Sequence, residues 1–160
     1  MQLTGKQIVE RGIVRNHCEA GVQQQGVDVR VESISVLHGY GIIPEQGKTT
    51  LPQTTKLPDF NGRWVLTPGY YELELAEGIT MPNDAALYFK TRSSLVRSGA
   101  IVHSGQFDAG FSTEKAGCFL QVLMPITIEV GARVAQAIVH TSDPVENTYN
   151  GQYQGDKQRT

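Results

Sequence analysis

The sequence predicts an all-β domain, a sandwich or a barrel, on three observations. Apolar and polar residues alternate strictly in Val27-Asp28-Val29-Arg30-Val31-Glu32 and again in Tyr71-Glu72-Leu73-Glu74-Leu75, as they do in a strand that buries one face. Gly and Pro interrupt such runs at short intervals, at Thr67-Pro68-Gly69, Met81-Pro82-Asn83-Asp84, Pro125 and Gly131, which suits turns between short strands. Helical periodicity nearly disappears after Gly12.

The elements follow in order. Met1 to Gly12 reads as a short helix, because Thr4 can cap it, Gln7 completes a capping box, and Gly12 can stop it. Val27 to Glu32 and Tyr71 to Leu75 are strands. Gly39 to Pro58 carries three prolines and only weak strand signals, so it reads as an excursion or long loop. Leu87 to Phe89, Cys118 to Met124, Ile126 to Val130 and Val134 to Val139 are further strands, and Ser93 to Ser98 is the one internal helical turn. From Asn147 the chain is polar with no core signal. The expected division is therefore a β domain over residues 1–146 and a mobile closing segment over 147–160.

A chain of 160 residues, 39% hydrophobic, can bury one core without disulfides. Its net charge of -2 offers no basic footprint for nucleic acid or a membrane surface. No stretch approaches a transmembrane length and the N-terminus lacks a signal-peptide core, so a cytoplasmic location is expected. Cys18 and Cys118 have no CxxC spacing and suit a reducing compartment; zinc is not expected, because His17 and Cys18 are neighbours with no second ligand pair.

The chemistry concentrates between Lys90 and Phe111. In Arg92-Ser93-Ser94-Leu95-Val96-Arg97-Ser98-Gly99, two guanidiniums and two hydroxyls fall within six residues. That set suits a polyanion such as a triphosphate. Taken alone it could equally be a capped turn, with Ser93 or Ser94 as N-cap and Gly99 as stop. Asp108-Ala109-Gly110-Phe111 follows across one short strand. It could be an ordinary turn, or a carboxylate placed to position a water. His103 reads as a strand histidine satisfied by its neighbours, and Trp64 as a core or interface residue.

Together these segments resemble the dUTPase / dCTP deaminase superfamily. Gly131-Ala132-Arg133-Val134-Ala135-Gln136 resembles its Arg-Ile-Ala-Gln strand, Val27-Asp28-Val29-Arg30 its early Asp-bearing strand, and Tyr149-Asn150-Gly151-Gln152-Tyr153 its closing segment. The resemblance implies a distorted jelly-roll β-barrel with a short N-terminal helix, assembled as a homotrimer with sites between subunits. It implies that Arg92, Ser93, Ser94, Arg97 and Gln136 contact a triphosphate. Asp108 would contact the sugar 3'-hydroxyl and orient the attacking water, and Phe111 would pack on the deoxyribose. Backbone groups near Gly105 and Gln106 would read the base, Tyr149 would close over the nucleotide, and Mg2+ would be held mainly by the phosphates. Asp28 would be structural or act through another residue, and Arg133 structural or intersubunit.

The chain departs from the deaminase pattern at Gln121, where deaminases carry the glutamate that activates water. Glutamine can neither accept nor deliver a proton at neutral pH, and losing a general base costs about 10²- to 10⁴-fold. Gln121 can still offer hydrogen bonds to a base. Ser112-Thr113-Glu114-Lys115 reads as an insertion, Gln152 replaces a phosphate-binding lysine, and Asp156 stands where a glutamine is usual. The reading is a dUTP diphosphatase that forms dUMP and pyrophosphate. A dCTP deaminase, a catalytically weak nucleotide-binding regulator and a purely structural β-trimer are the alternatives.

Overall fold

The computed structural model describes residues 1–155. Thr4 caps helix α1 (Gly5–Glu10) through the expected capping box: Gln7 N donates to Thr4 Oγ1 at 3.3 Å, and Thr4 N donates to Gln7 Oε1 at 2.9 Å. The chain then runs through β1 (Val14–Arg15), a 3-10 turn at Glu19–Gly21, β2 (Val22–Gln23) and β3 (Gly26–His38). Next come β4 (Gln53–Lys56), β5 (Arg63–Leu66), β6 (Gly69–Leu75), β7 (Gly78–Thr80) and β8 (Ala85–Thr91). Helix α2 (Ser93–Arg97) leads to β9 (Ala100–His103), β10 (Ser112–Thr113), β11 (Gly117–Val122), β12 (Ile126–Glu129) and β13 (Arg133–Thr141).

The main sheet has the order β8-β13-β3-β6-β11-β9, with β2 and β4 also on β3. Its two ends approach each other. Val102 N donates to Thr91 Oγ1 at 2.9 Å, Phe89 N to Ser104 Oγ at 2.9 Å, and Phe107 N to Leu87 O at 2.7 Å. These bonds nearly close the sheet into a barrel, the all-β architecture that the alternating runs predict. Two small sheets, β1-β7-β10 and β12-β5, complete the wall.

The inward residues of the predicted strands form the core: Val27, Val29 and Val31 of β3, Leu73 and Leu75 of β6, and Leu120 of β11 are fully buried. Alternation correctly identifies this face but mistakes the other one at Asp28, which is also buried, at 1% exposure. The expected solvent side is covered there by Arg92, Arg133 and Gln136.

The structure corrects the sequence expectation in three further places. β3 extends to His38 because its polar residues Ser33 and Ser35 continue the ladder with β6. The arm at 39–58 is not only a loop: β4 lies inside it and pairs with β3, and Ile42 bridges Thr50. Its threonines pair through the backbone, so no apolar pattern marks them. β5 gave no signal, since only Trp64 and Leu66 turn inward while Val65 stays exposed. Trp64 joins the core, with Nε1 donating to Leu57 O at 3.2 Å.

Candidate active site

Strand β8 delivers the chain to α2, and the N-cap of α2 is Arg92 rather than either serine. Ser93 and Ser94 lie inside the turn, exposed, and among the described residues their hydroxyls carry no hydrogen bond. The capped-turn explanation of these serines therefore does not hold, although Gly99 does end the helix at φ +84. A Cβ on Gly99 would also come within 2.8 Å of Met124. Arg97 is exposed and forms no ion pair among the described residues.

Arg92 turns toward the barrel. Its Nε lies 3.1 Å from Asp28 Oδ2, and its Nη1 donates to Arg133 O at 3.1 Å. Arg133 Nη1 reaches the same Asp28 oxygen at 3.3 Å, and Gln136 Nε2 donates to Asp28 Oδ1 at 3.3 Å. The ladder explains this convergence. Gln136 of β13 stands directly opposite Asp28 on β3 and Lys90 on β8. Directly opposed residues share a face, so one row runs from a buried carboxylate through a half-buried amide to an exposed ammonium. Gly26 makes room for it, since a Cβ there would meet Gln136 Cγ at 2.7 Å. Lys90 and Gly26 were not singled out from the sequence; only the register brings them to the row.

A second group gathers beyond β9. The Asp108 turn closes through Phe111 N donating to Asp108 O at 3.0 Å, with Gly110 at φ +85. The Asp108 carboxylate is exposed, and its Oδ1 accepts from Gln106 Nε2 at 2.8 Å. Phe111 is buried between Phe107 and Tyr149, ring centroids 5.2 and 5.6 Å away. Gly105, Gln106, Asp108, Phe111 and Tyr149 all line one cavity of about 320 Å³. Glu72, Phe119 and Tyr153 line it too. Glu72 was read only as one beat of an alternating strand; its pairing opposite Phe119 brings it to the cavity wall.

Arg92, Ser93, Ser94, Arg97, Gln121 and Gln136 do not line this cavity. Gln121 points instead to His103, with Oε1 2.9 Å from Nε2. Phe119, two residues earlier, reaches the cavity and stacks on Tyr70 with centroids 5.4 Å apart. Burial there raises the Tyr70 phenol above its ordinary range, with Cys118 adding to the shift.

The closing segment is seated on its own hairpin as far as it is described. Tyr149 N donates to Ala109 O at 2.7 Å. Gln154 accepts from Ser112 N at 2.9 Å and donates to Gly110 O at 2.9 Å. Gln152 grips the 39–58 arm in both directions, accepting from Thr49 N at 3.1 Å and donating to Thr49 O at 2.9 Å. Asp156, noted in the sequence, lies outside the described residues.

A family model described as dCTP deaminase-like matches residues 2–142. The chain belongs to the dCTP deaminase-like family. A Halobacterium salinarum protein named "Probable deoxyuridine 5'-triphosphate nucleotidohydrolase" is 37% identical over 161 residues, covering 94% of this chain and 96% of its own. The Methanocaldococcus jannaschii "Deoxyuridine 5'-triphosphate nucleotidohydrolase" is 34% identical over 142 residues, covering 86% and 89%. The crystal structure of 2'-deoxycytidine 5'-triphosphate deaminase from Agrobacterium tumefaciens superposes with a TM-score of 0.67 over 88% of this chain at 16% identity, which supports the fold. The match spans only about half of that deaminase, 48% of its length.

Proposed function

We propose that this dCTP deaminase-like protein hydrolyses dUTP to dUMP and pyrophosphate. The cavity around Asp108 carries the reading: it combines an exposed carboxylate, a buried aromatic floor at Phe111 and the backbone of Gly105 and Gln106. Asp108 is exposed to water, while the Gln121 amide is engaged with His103 and can neither accept nor deliver a proton at neutral pH. The names of the relatives above support the same reading.

In this mechanism the deoxyribose packs on Phe111, and backbone groups near Gly105 and Gln106 meet the base edge. Asp108 orients a water and takes its proton as the water oxygen bonds to the α-phosphorus. The bond from that phosphorus to the oxygen bridging the β-phosphate breaks, and pyrophosphate leaves with the bridging oxygen. Arg92, Arg97, Ser93, Ser94 and Gln136 hold the departing phosphates and offset their charge. Among the described residues no three His, Cys, Asp or Glu side chains gather as a metal site. Mg2+ would enter with the triphosphate, held mainly by its phosphates and neutralising part of their charge.

The phosphate-binding candidates are absent from the wall of the nucleoside cavity of the same chain. The family resemblance implies a homotrimer with sites between subunits, and this separation supports that reading, with α2 of one copy facing the Asp108 cavity of another. Tyr149 and the rest of the closing segment would cover the bound nucleotide and exclude water. The free cysteines and the absence of any helix long and apolar enough to cross a membrane, among the described residues, are compatible with work in the cytoplasm.

The test measures pyrophosphate and ammonia release from dUTP and dCTP in parallel, with Mg2+. Pyrophosphate from dUTP, lost by about 10²- to 10⁴-fold in Asp108→Asn, is the expected result. Ammonia from dCTP would replace this reading with a deaminase. Bound but uncleaved dUTP would leave a nucleotide-binding regulator.

A further inference from the structure

The residues between the Asp108 turn and β11 form an extension that is anchored more firmly than its short pairing explains. β10 pairs with β7 over only two residues, Ser112 opposite Thr80 and Thr113 opposite Ile79. β1 lies on the far side of β7, with Arg15 opposite Gly78. From there the Arg15 guanidinium crosses β7 to the extension. Its Nη1 donates to both carboxylate oxygens of Glu114 at 3.0 Å, and its Nη2 donates to Thr113 O at 2.8 Å. Glycine at 78 leaves the path open, since a Cβ there would come within 2.6 Å of Glu114 O and 2.9 Å of Arg15 Nη2. On the other leg, Lys115 pairs with Glu32 of β3.

Two observations argue against stability as the purpose of Arg15. Its Nε is buried with no hydrogen-bond partner among the described residues, which is a cost to the fold. Glu114 is 71% exposed, and an ion pair so open to water adds little stability. What these contacts do is fix the extension, and the extension carries the closing segment. Ser112 N donates to Gln154 Oε1 at 2.9 Å, and Gly155 N donates to Ser112 O at 2.8 Å. β10 is the edge strand of its sheet, and the closing segment occupies that edge. The same segment brings Tyr149 and Tyr153 to the cavity wall beside Asp108. We propose that Arg15 is a positioning residue for the closing segment: by reaching over Gly78 to Thr113 and Glu114, it holds Ser112 where Gln154 and Gly155 dock, and so sets Tyr149 and Tyr153 against the nucleotide cavity. Arg15 does not line that cavity and acts only through the extension. The inference rests on the reading of the closing segment as a cover for bound nucleotide.

The experiment keeps the two readings separate. Hydrolysis of dUTP by the wild type tests the proposed function. Hydrogen exchange in the ligand-free protein, and calorimetric binding of the non-hydrolysable α,β-imido analogue of dUTP, need no turnover and test Arg15. In Arg15→Ala the amides of residues 149–155 should exchange about tenfold faster, while those of β6 and β11 keep their wild-type rates. Affinity for the analogue should fall about tenfold, the worth of one or two lost hydrogen bonds. Equal acceleration in the segment and in the strands would make Arg15 merely structural and overturn the proposal, as would wild-type exchange in 149–155. Faster exchange with unchanged analogue affinity would also overturn it, by cutting the link from the segment to the nucleotide. If Arg15→Ala does not fold, Arg15→Lys serves instead. Its single nitrogen cannot hold both Glu114 and Thr113 O as the guanidinium does, so the same selective loss is expected. Wild-type protection of 149–155 in Arg15→Lys would refute the positioning role.

Discussion

Single side chains settle several questions here that composition leaves open. Glu77 is fully buried, yet both its oxygens are occupied: Oε1 lies 2.7 Å from Arg30 Nε and Oε2 accepts from Arg30 N at 2.8 Å. The hydrogen bond to Glu77 raises the Arg30 pKa further. Arg30→Ala leaves that carboxylate buried with its charge partner gone, so unfolding stability should drop by about 3–5 kcal/mol, read from denaturant midpoints. Cys118 is an opposite case, a buried thiol whose charged neighbour, Glu72, repels its thiolate. Burial pushes it up from 9.0 to about 12. Between those two pH values the unfolded chain has lost the proton and the folded chain has kept it. The folded state therefore binds more protons, and its stability falls as pH rises through that window. Cys118→Ala should flatten that slope in denaturation curves taken at successive alkaline pH values. An unchanged slope would place its origin elsewhere.

Among the elements, the closing segment is held by amides and a turn together with Tyr149 and Tyr153, which pack against the core. Gln152 and Gln154 both bind backbone, one on the 39–58 arm and one on the Asp108 hairpin. This couples three pieces of chain that are far apart in sequence. Gly110 is where the fit is tightest: it sits at φ +85, and a Cβ would come within 2.4 Å of Thr148 Cβ. Gly110→Ala should unseat residues 148–155 while leaving the barrel folded. Limited proteolysis would then cut the segment faster, and KM for dUTP would rise by about tenfold if closure supplies a few hydrogen bonds to binding. A protected segment with unchanged KM would show that the turn tolerates the methyl and that the seat lies elsewhere. The arm is also where periodicity failed to find a strand. β4 is written in Gln53, Thr54, Thr55 and Lys56, all polar, and it forms because β3 offers an open edge. Pairing of that kind is a property of the partner strand, invisible in the paired segment itself.

The assembled protein poses the largest question, because the two halves of the proposed site are apart within one chain. Gly105, Gln106, Asp108, Phe111 and Tyr149 share a cavity, and the residues of α2 and β13 do not reach it. If neighbouring copies complete each other, mixing two inactive variants restores activity. Asp108→Asn and Arg97→Ala chains, co-refolded, should recover about a quarter of wild-type turnover, since some interfaces then receive both intact halves. No recovery, with trimers formed in light scattering, would place both halves of the site on one subunit. A monomer of full activity would dispose of the intersubunit arrangement altogether.

Much of this molecule was legible before any coordinates. The capping box at Thr4 and Gln7 is a local hydrogen-bond pattern, and the alternation in β3 and β6 states which residues face the core. Both depend on neighbours a few positions away, so a linear reading suffices. The segments that carry the candidate chemistry were likewise visible as clusters of charge and hydroxyl beside glycine. What needed the folded chain was every relation between distant segments. Asp28 reads as the polar beat of a half-buried strand; only the β3–β13 register sets it under Arg92, Arg133 and Gln136. Glu72 became part of a cavity wall only when β6 lay beside β11. Ser93 looked like an N-cap, and the fold gave that place to Arg92 because its backbone N–H binds Val134 O at 3.2 Å. Periodicity and capping report energies that are local along the chain. Register, ion-pair convergence and cavity shape arise from contacts across 41 to 105 residues of sequence, and those are decided by how the whole sheet closes.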